Sequence, residues 1–168
     1  MGQLEKTMTK TYMEKGFDRI VCDKELIFPK NTALAATWIL AAFKGINLKI
    51  FDMRESSSLA DYYVLGSAQN VTTARSMAEG LESHLKRHRY SARSIEGLES
   101  AQWILLDFGD MIIHIFQESV RDIFDLDELW KEYPSVPIPQ EYYFSRPEGS
   151  EEEEAHKVEE GETTEPYF

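Results

Sequence analysis

The stretch WILLDFGDMIIHIFQE, from Trp103 to Glu118, constrains the fold more than any other part of this chain. Gly109-Asp110 separates two apolar runs, and such a pair is a typical two-residue turn between antiparallel strands. The turn fixes the register of the hairpin, and residues that lie opposite each other share a face of the sheet. The predicted pairs are Trp103–Phe116, Ile104–Ile115, Leu105–His114, Leu106–Ile113, Asp107–Ile112 and Phe108–Met111.

The two faces of this hairpin differ in character. One is wholly apolar and is expected to pack beneath helices: Ile104, Leu106, Phe108, Met111, Ile113 and Ile115. The other combines aromatic, aliphatic and polar side chains, and we call it the mixed face: Trp103, Leu105, Asp107, Ile112, His114 and Phe116. A mixed face is either covered by another element or presented to a partner, since protein interfaces favour aromatic residues among polar ones.

The polar residues of the hairpin allow a chemical interpretation. Asp107 and His114 lie diagonally on the mixed face, so a metal site is conceivable if Asp61 on a preceding strand supplies a third ligand. The alternative is that Asp107 and Asp110 stabilise the turn while His114 is a partly buried, hydrogen-bonded histidine. No arrangement of serine or cysteine with histidine suggests a nucleophilic site, and no cofactor is indicated. Cys22, the only cysteine, can form neither an intrachain disulfide nor a thiolate cluster.

A second chemical possibility arises at Gly66-Ser67, which follows a predicted strand as in the loop of a nucleotidyltransferase. A Gly-Ser pair alone is weak support. That chemistry also requires paired acidic residues for its metal ions, spaced Asp-x-Asp just beyond the loop. The residues that follow Ser67 are AQNVTTAR, so this pair is absent.

The rest of the core alternates helices and strands, which predicts a single α/β domain with a mixed sheet and helices packed on it. A helix is capped by Asn31 or Thr32 and ends at Gly45, and a long helix capped by Asn70 or Thr72 runs to about Tyr90. A short helix is expected around Glu5 to Lys15. The predicted strands are LKIFDM and LADYYVLGSA, EGLES is a loop, and DLDELWKE is a last helix with Asp125 and Glu128 at capping-box spacing. The apolar face of the long helix is predicted to be Met77, Ala78, Leu81 and Leu85, and Leu129 and Trp130 are predicted to close the core.

Three regions are predicted: an N-terminal extension over 1–30, the core domain over 31–133, and a tail over 134–168. The tail contains prolines and then an acidic run, SEEEEAHKVEEGETTE, which cannot bury a core and is predicted to be disordered. Either it solubilises the chain or it is an acidic arm for a basic partner. Val136, Ile138, Tyr142, Tyr143 and Phe144 are apolar enough to pack back on the domain.

Charge and hydropathy narrow the classes of function. The net charge is -12, and the tail with ten Glu against Arg146 and Lys157 accounts for -8 of it. Neither part is basic, so the electrostatic signature of a nucleic-acid binder is missing. The basic cluster KRHR, Lys86 to Arg89, is interpreted as the solvated end of a helix. No apolar run reaches the roughly 20 residues that span a bilayer and no signal or transit peptide is evident, so we expect a cytoplasmic protein.

The order of motifs resembles that of the Iojap-related ribosomal silencing factors over about Ala33 to Trp130. One part of the likeness is SSSLADYYVLGSA followed by a long helix. The other is the run from IEGLES through the hairpin to Arg121 and the DLDELW segment. Family members often carry a basic or amide residue early in the long helix, where this chain has Thr72-Thr73, and any contact made by that turn is therefore in doubt.

The resemblance implies a fold related to nucleotidyltransferases without their active site, and a non-enzymatic, cofactor-free function. It implies binding to the large ribosomal subunit through ribosomal protein uL-fourteen, which blocks joining of the small subunit and lowers translation when nutrients are short. It also implies a homodimer. The residues expected to contact the partner are the anchors Trp103, His114 and Phe116, one of the alternating pair Tyr62 and Tyr63 (Tyr62 being our choice), and the acids Asp61, Asp107 and Glu118.

The sequence also allows two alternatives to silencing. A large-subunit assembly factor would use the same surface at an earlier stage, and the sequence says nothing of timing. A divergent metal-dependent nucleotidyltransferase would use Asp61, Asp107 and His114, and it predicts that their side chains converge in a cleft.

Overall fold

A computed structural model describes residues 2–144, and within that range a five-stranded mixed sheet lies between two layers of helices. The strand order is β1-β2-β5-β4-β3; β2 and β5 run parallel and the other neighbours antiparallel. The predicted α/β class with a mixed sheet is confirmed. No helix in the described range has the length and apolar character to cross a membrane. In chain order the elements are α1 (Gly2–Val21), α2 (Lys30–Ala42), β1 (Ile46–Asp52), β2 (Tyr62–Ala68), α3 (Val71–Arg87), β3 (Ser94–Glu96), β4 (Trp103–Asp107), β5 (Met111–Gln117), α4 (Glu118–Phe124), α5 (Leu126–Leu129) and α6 (Glu141–Phe144).

The predicted hairpin is β4 and β5, and its register is confirmed from Trp103 opposite Phe116 to Asp107 opposite Ile112. The amide of Phe108 donates to the carbonyl of Met111 at 2.9 Å, which closes the turn. Gly109 has φ +89°, a conformation that glycine adopts without strain. The apolar face is buried as predicted, with none of its residues more than 2% exposed: Ile104, Leu106, Phe108, Met111, Ile113 and Ile115.

Helix α3 covers this apolar face in the predicted way. Asn70 is its N-cap, and the side-chain oxygen accepts a hydrogen bond from the amide of Thr73 at 2.8 Å. The predicted apolar face of the helix is fully buried in the main core: Met77, Ala78, Leu81 and Leu85. Helix α2 lies beside α3, but its capping was predicted wrongly. Pro29 is its N-cap residue, and it ends at Ala42 because Lys44, not Gly45, takes the left-handed conformation.

Helix α1 is longer than the predicted Glu5–Lys15 segment and completes the core. Its apolar residues Met13, Phe17 and Ile20 are spaced on one face and are at most 6% exposed. Gly16 lets the helix approach the indole of Trp38, since a Cβ at this position would lie 2.3 Å from that ring. The basic cluster at the end of α3 pairs with this helix: Arg87 and His88 each contact Asp18 at 2.7 Å.

The sequence interpretation missed three elements, β3, α4 and α6. Strand β3 pairs with β4 and ends at Glu96, so the loop predicted to begin at Glu96 begins one residue later. Helix α4 begins directly after β5. Asp125 is the N-cap residue of α5, as predicted, but it takes the left-handed conformation with φ 46° and its side chain makes no capping hydrogen bond, so the bonds of a capping box are not formed. Leu129 was predicted to close the core, but it is 66% exposed, so this prediction is wrong.

The segment after α5 returns along the free edge of β1. The amide of Asp52 donates to the carbonyl of Pro134 at 2.7 Å, and the amide of Val136 donates to the carbonyl of Ile50 at 2.8 Å. Further on, Tyr142 is 6% exposed and meets Trp38 edge to face at 5.5 Å between ring centroids. Packing of Val136, Ile138 and Tyr142 on the domain is confirmed. The acidic run predicted to be disordered lies in 145–168, outside the described residues, and the three predicted region boundaries stay predictions.

Candidate partner-binding surface

The mixed face continues across the sheet beyond the hairpin, because residues paired between strands share a face. On β2, Tyr63 is paired with Ile112 and Leu65 with His114. On β3, Glu96 is paired with Leu105 and Ser94 with Asp107. The mixed face therefore extends from the β1 edge to the β3 edge, on the side opposite α1, α2 and α3.

Half of the mixed face is covered. Trp130, which follows α5, packs on Tyr63 with a centroid distance of 4.6 Å and on His114 at 5.5 Å. The residues beneath it are buried: Tyr63 is 6% exposed, His114 5% and Phe116 0%. Tyr63 and Phe116 belong, with Phe51, Met53 and Leu65, to a second hydrophobic cluster, and Trp130 packs against it. Of the predicted contact residues, Phe116 and His114 thus lie beneath the surface of this conformation.

The other half of the mixed face is not covered within residues 2–144. We call it the open half, and it comprises Ser94, Glu96, Trp103, Leu105, Asp107 and Ile112. Ser94 and Glu96 are exposed, and the other members are partly buried. Phe124 of α4 borders it, 49% exposed, with its ring 4.7 Å from that of Trp103. This combination of apolar surface and a charged margin is typical of a protein interface.

Trp103 is held in one orientation by its neighbours. Its ring stacks on that of Phe116 at 5.1 Å with an interplanar angle of 24°. Its indole Nε1–H donates to Nδ1 of His114 at 3.1 Å. An aromatic side chain fixed in advance loses little conformational entropy on binding, which favours its use as an interface hot spot.

His114 is a buried, hydrogen-bonded histidine, as the alternative to a metal site predicted. Burial, with a smaller contribution from the positive charge of Arg121, lowers the pKa of His114 to about 4. The imidazole is therefore neutral near pH 7, as its role as acceptor for Trp103 requires.

Arg121 holds α4 and α5 on the sheet. Its guanidinium is 3% exposed, donates twice to the carboxylate of Asp127 at 2.7 and 3.0 Å, and donates to the hydroxyl of Ser67 at 3.0 Å and the carbonyl of Asn47 at 2.9 Å. Hydrogen bonds from Arg121, together with those from Lys49, lower the pKa of Asp127 to about 2. This network fixes the helices that carry Phe124 and precede Trp130.

The predicted acids do not converge on a metal site. Asp107 accepts the amide of Gly109 at 2.7 Å and so stabilises the turn. Asp61 is partly buried near the hairpin tip, where its amide donates to the carbonyl of Asp110 at 2.9 Å. Glu118 is exposed at the start of α4. Among residues 2–144, no group of three or more His, Cys, Asp or Glu side chains is placed to hold a metal ion.

Ser67, which suggested a nucleotidyltransferase loop, lies inside β2 and is fully buried. Its hydroxyl is bound by Arg121 and does not face a cleft. The position is part of the network that fixes α4, which explains a Gly-Ser pair at this point without any phosphate chemistry.

Tyr62 and Tyr63 lie on opposite faces of the sheet. Tyr62 belongs to the main core and is 1% exposed, so it presents no surface to a partner in this conformation. Tyr63 is the member on the mixed face, and its hydroxyl lies 3.1 Å from that of Ser57. Sequence reasoning chose Tyr62, and it missed Glu96 and Phe124 because it did not predict the pairing of β3 or the helix α4.

Comparisons with known proteins agree with this architecture. A family model described as "Ribosomal silencing factor during starvation" matches residues 28–165. The chain is 34% identical over 87 residues to the "Ribosomal silencing factor RsfS" of Zymomonas mobilis, covering 52% of this chain and 65% of that protein. It is 31% identical over 91 residues to the protein of the same name in Haemophilus influenzae, covering 54% of this chain and 89% of that protein.

More distant matches extend the comparison. A mouse protein, "Mitochondrial assembly of ribosomal large subunit protein 1", is 33% identical over 73 residues, which cover 42% of this chain and 32% of that protein. A crystal structure of a Chromobacterium violaceum protein superposes with a TM-score of 0.56 at 26% identity, covering 66% of this chain and 92% of that one. Since the family model matches most of the chain, this protein belongs to the family of ribosomal silencing factors.

Proposed function

We propose that this protein silences ribosomes by binding the large subunit with the open half of the mixed face, through ribosomal protein uL-fourteen, and thereby obstructing the small subunit. The observation that best supports this proposal is that the second helical layer covers only part of the sheet. Trp103 is held rigidly where the covered half meets the open half. The function needs no chemistry from the chain, because occupancy of the joining surface is sufficient.

Charge complements the apolar contact in this proposal. Glu96 and Asp107 belong to the open half, where they lie diagonally on the paired strands β3 and β4, and Glu118 and Asp61 lie outside it on neighbouring elements. Carboxylates at the margin of an interface steer a basic protein to its site and make association sensitive to salt. In the cytoplasm, a basic ribosomal protein would meet this surface more readily than the anionic RNA around it, which the net charge of -12 repels.

In this proposal the predicted contact residues have two different roles. Trp103 and Asp107 are proposed to touch the partner, with Asp61 and Glu118 acting at longer range. Phe116 and His114 are proposed to support Trp103 from beneath, since the structure buries them.

Co-sedimentation with purified large subunits tests the proposal. We expect the wild-type chain to pellet and Trp103→Ala to bind about thirtyfold more weakly, which corresponds to a hot spot worth about 2 kcal/mol. Ile27→Ala is the matched control, because Ile27 is 79% exposed in the connection between α1 and α2, on the other side of the sheet. A wild-type chain that stays in the supernatant would overturn the function. Equal binding of both variants would overturn the choice of surface.

A role in large-subunit assembly is the second candidate, favoured by the name of the mouse relative. It uses the same surface, so pelleting does not separate the two functions. Depletion of the protein does: loss of a silencing factor raises translation in starved cells with normal subunits, whereas loss of an assembly factor leaves precursor large subunits that accumulate during growth.

The homodimer implied by the family resemblance remains a proposal. Light scattering of the purified chain over a concentration series measures it directly. A mass that stays at that of a single 19.4 kDa chain at every concentration would reject it.

A further inference from the structure

We propose that His114 is a positioning residue for Trp103: it occupies the indole N–H of Trp103 internally, so that Trp103 meets the ribosomal partner only through its ring. This inference rests on the proposed function for its binding part. Its structural part concerns the free protein and can be tested separately.

The hydrogen bond between the two side chains is the first step. The indole of Trp103 has a single polar atom, Nε1, which donates only. That donor lies 3.1 Å from Nδ1 of His114. A ring nitrogen that accepts must carry no proton, so the proton of the neutral imidazole sits on Nε2. Since the one donor of Trp103 is used inside the chain, a partner can gain ring contact from this residue but no hydrogen bond.

The second step is that His114 cannot easily turn away. It is 5% exposed, and its ring lies beside those of Tyr63, at 6.0 Å, and Trp130, at 5.5 Å, which pack on each other. Its own ring is nearly parallel to that of Phe116, with an interplanar angle of 11°. A side chain packed on several sides keeps its rotamer, and it therefore fixes the acceptor against which Trp103 is oriented.

The charged groups around His114 favour its neutral form. Arg121 of α4 faces it and opposes a second positive charge, while Asp127 of α5 is bound to Arg121 and Lys49. Tyr63 of β2 directs its hydroxyl to Ser57. On β4, Asp107 bonds the turn amide of Gly109. No carboxylate among these bonds the imidazole, so the acceptor form of His114 persists at neutral pH.

The structural part is tested by NMR of the full ¹⁵N-labelled chain at pH 7. Long-range ¹H–¹⁵N spectra should show His114 with an unprotonated Nδ1 and a protonated Nε2. The indole N–H of Trp103, assigned with Trp103→Phe, should be protected from solvent exchange. The indole N–H of Trp38 is an internal control, because it donates to the carbonyl of Met13 at 3.2 Å, which does not titrate. A charged His114, or one with the proton on Nδ1, would overturn the proposal.

The binding part is tested with three folded variants in the subunit pelleting assay. Asparagine at position 114 places an oxygen near the position of Nδ1, so His114→Asn should bind within about twofold of wild type. His114→Leu removes the acceptor and should bind about fivefold more weakly, as expected for one lost hydrogen bond. Trp103→Phe keeps a ring without the donor and should stay within about fivefold of wild type, well above Trp103→Ala.

The possible outcomes are distinguishable. If Trp103→Phe fails as completely as Trp103→Ala, the partner uses the indole donor and the inference is overturned. It is also overturned if His114→Leu binds like wild type while His114→Asn does not. If wild type itself does not pellet, the proposed function falls, and the tautomer and exchange protection measured in the free chain still decide whether His114 positions Trp103.

Discussion

Replacement of Arg121 by methionine should loosen the second helical layer without disturbing the first. The guanidinium is buried and joins α4 to three places: the Asp127 side chain, the Ser67 hydroxyl and the Asn47 carbonyl. Methionine fills a similar volume but makes none of these hydrogen bonds. Ser67 and Asn47 would lose donors that the buried site cannot replace with solvent.

The expected magnitude follows from what is left unpaired. Removing one partner of a buried ion pair typically costs about 3–5 kcal/mol. Asp127 retains Lys49, whose Nζ lies 2.8 Å from its carboxylate, and the Asp127 side chain is 24% exposed. Solvent and Lys49 therefore compensate part of the loss, and we expect the free energy of unfolding to fall by about 3 kcal/mol, the low end of that range.

Urea denaturation followed by tryptophan fluorescence measures this change. Ser67→Ala is the matched control, because it removes one hydrogen bond of the network and should cost about 1 kcal/mol. An Arg121→Met protein within 1 kcal/mol of wild type would refute the argument that this network holds α4 and α5 in place.

Two further predictions concern the neighbourhood of the open half. The pKa of His114 is about 4 in the folded chain against an ordinary value of 6.5, so the unfolded chain takes up a proton that the folded chain refuses between these values. The free energy of unfolding should therefore fall by about 2 kcal/mol from pH 6.5 to pH 5 and continue to fall toward pH 4. Urea titrations at several pH values measure this dependence, which should be weaker in His114→Leu. An equally steep pH dependence in that variant would contradict the assignment of the effect to His114. Gly97→Ala should lower the melting temperature more than Gly109→Ala, although both glycines have positive φ, because a Cβ at Gly97 meets the backbone oxygen of Trp103 at 2.0 Å whereas one at Gly109 meets the flexible end of Arg93 at 2.6 Å. Thermal unfolding by circular dichroism compares the two variants. A larger fall in melting temperature for Gly109→Ala would contradict the close approach of Gly97 to the backbone of Trp103.

The parts of the fold that were predictable from sequence are those that local rules determine. Gly109-Asp110 and the alternation around it give the hairpin register, and Asn70 caps α3 because its side chain reaches the amide of Thr73. The faces of the hairpin followed from the register alone. The burial of the apolar face needed no knowledge of the rest of the chain.

The parts that were not predictable depend on tertiary contacts. Every residue of β2 is buried, so alternation cannot tell which of Tyr62 and Tyr63 lies on the mixed face. Asp125 is the N-cap residue of α5, as predicted, but it also ends α4 in a left-handed conformation and makes no side-chain capping bond. The strand β3 is three residues long and is recognisable only from its pairing with β4.

The candidate surface was therefore predicted in part. Trp103 was identified because protein interfaces favour aromatic residues among polar ones, whereas its hydrogen bond to His114 was not predicted and is seen only in the structure. Which half of that face is covered could not be predicted, since the cover comes from α4 and from Trp130. Sequence reasoning consequently treated Phe116 as a contact residue although it is fully buried.

The most direct test of the central claim is a subunit-joining assay with purified large and small ribosomal subunits, followed by light scattering. The account predicts that the wild-type protein, added to large subunits first, prevents joining in proportion to its occupancy, that Ile27→Ala does the same, and that Trp103→Ala requires about thirtyfold more protein for the same effect. If the wild-type protein pellets with large subunits and the subunits nevertheless join at the normal rate and extent, the claim that this chain silences ribosomes by obstruction is contradicted.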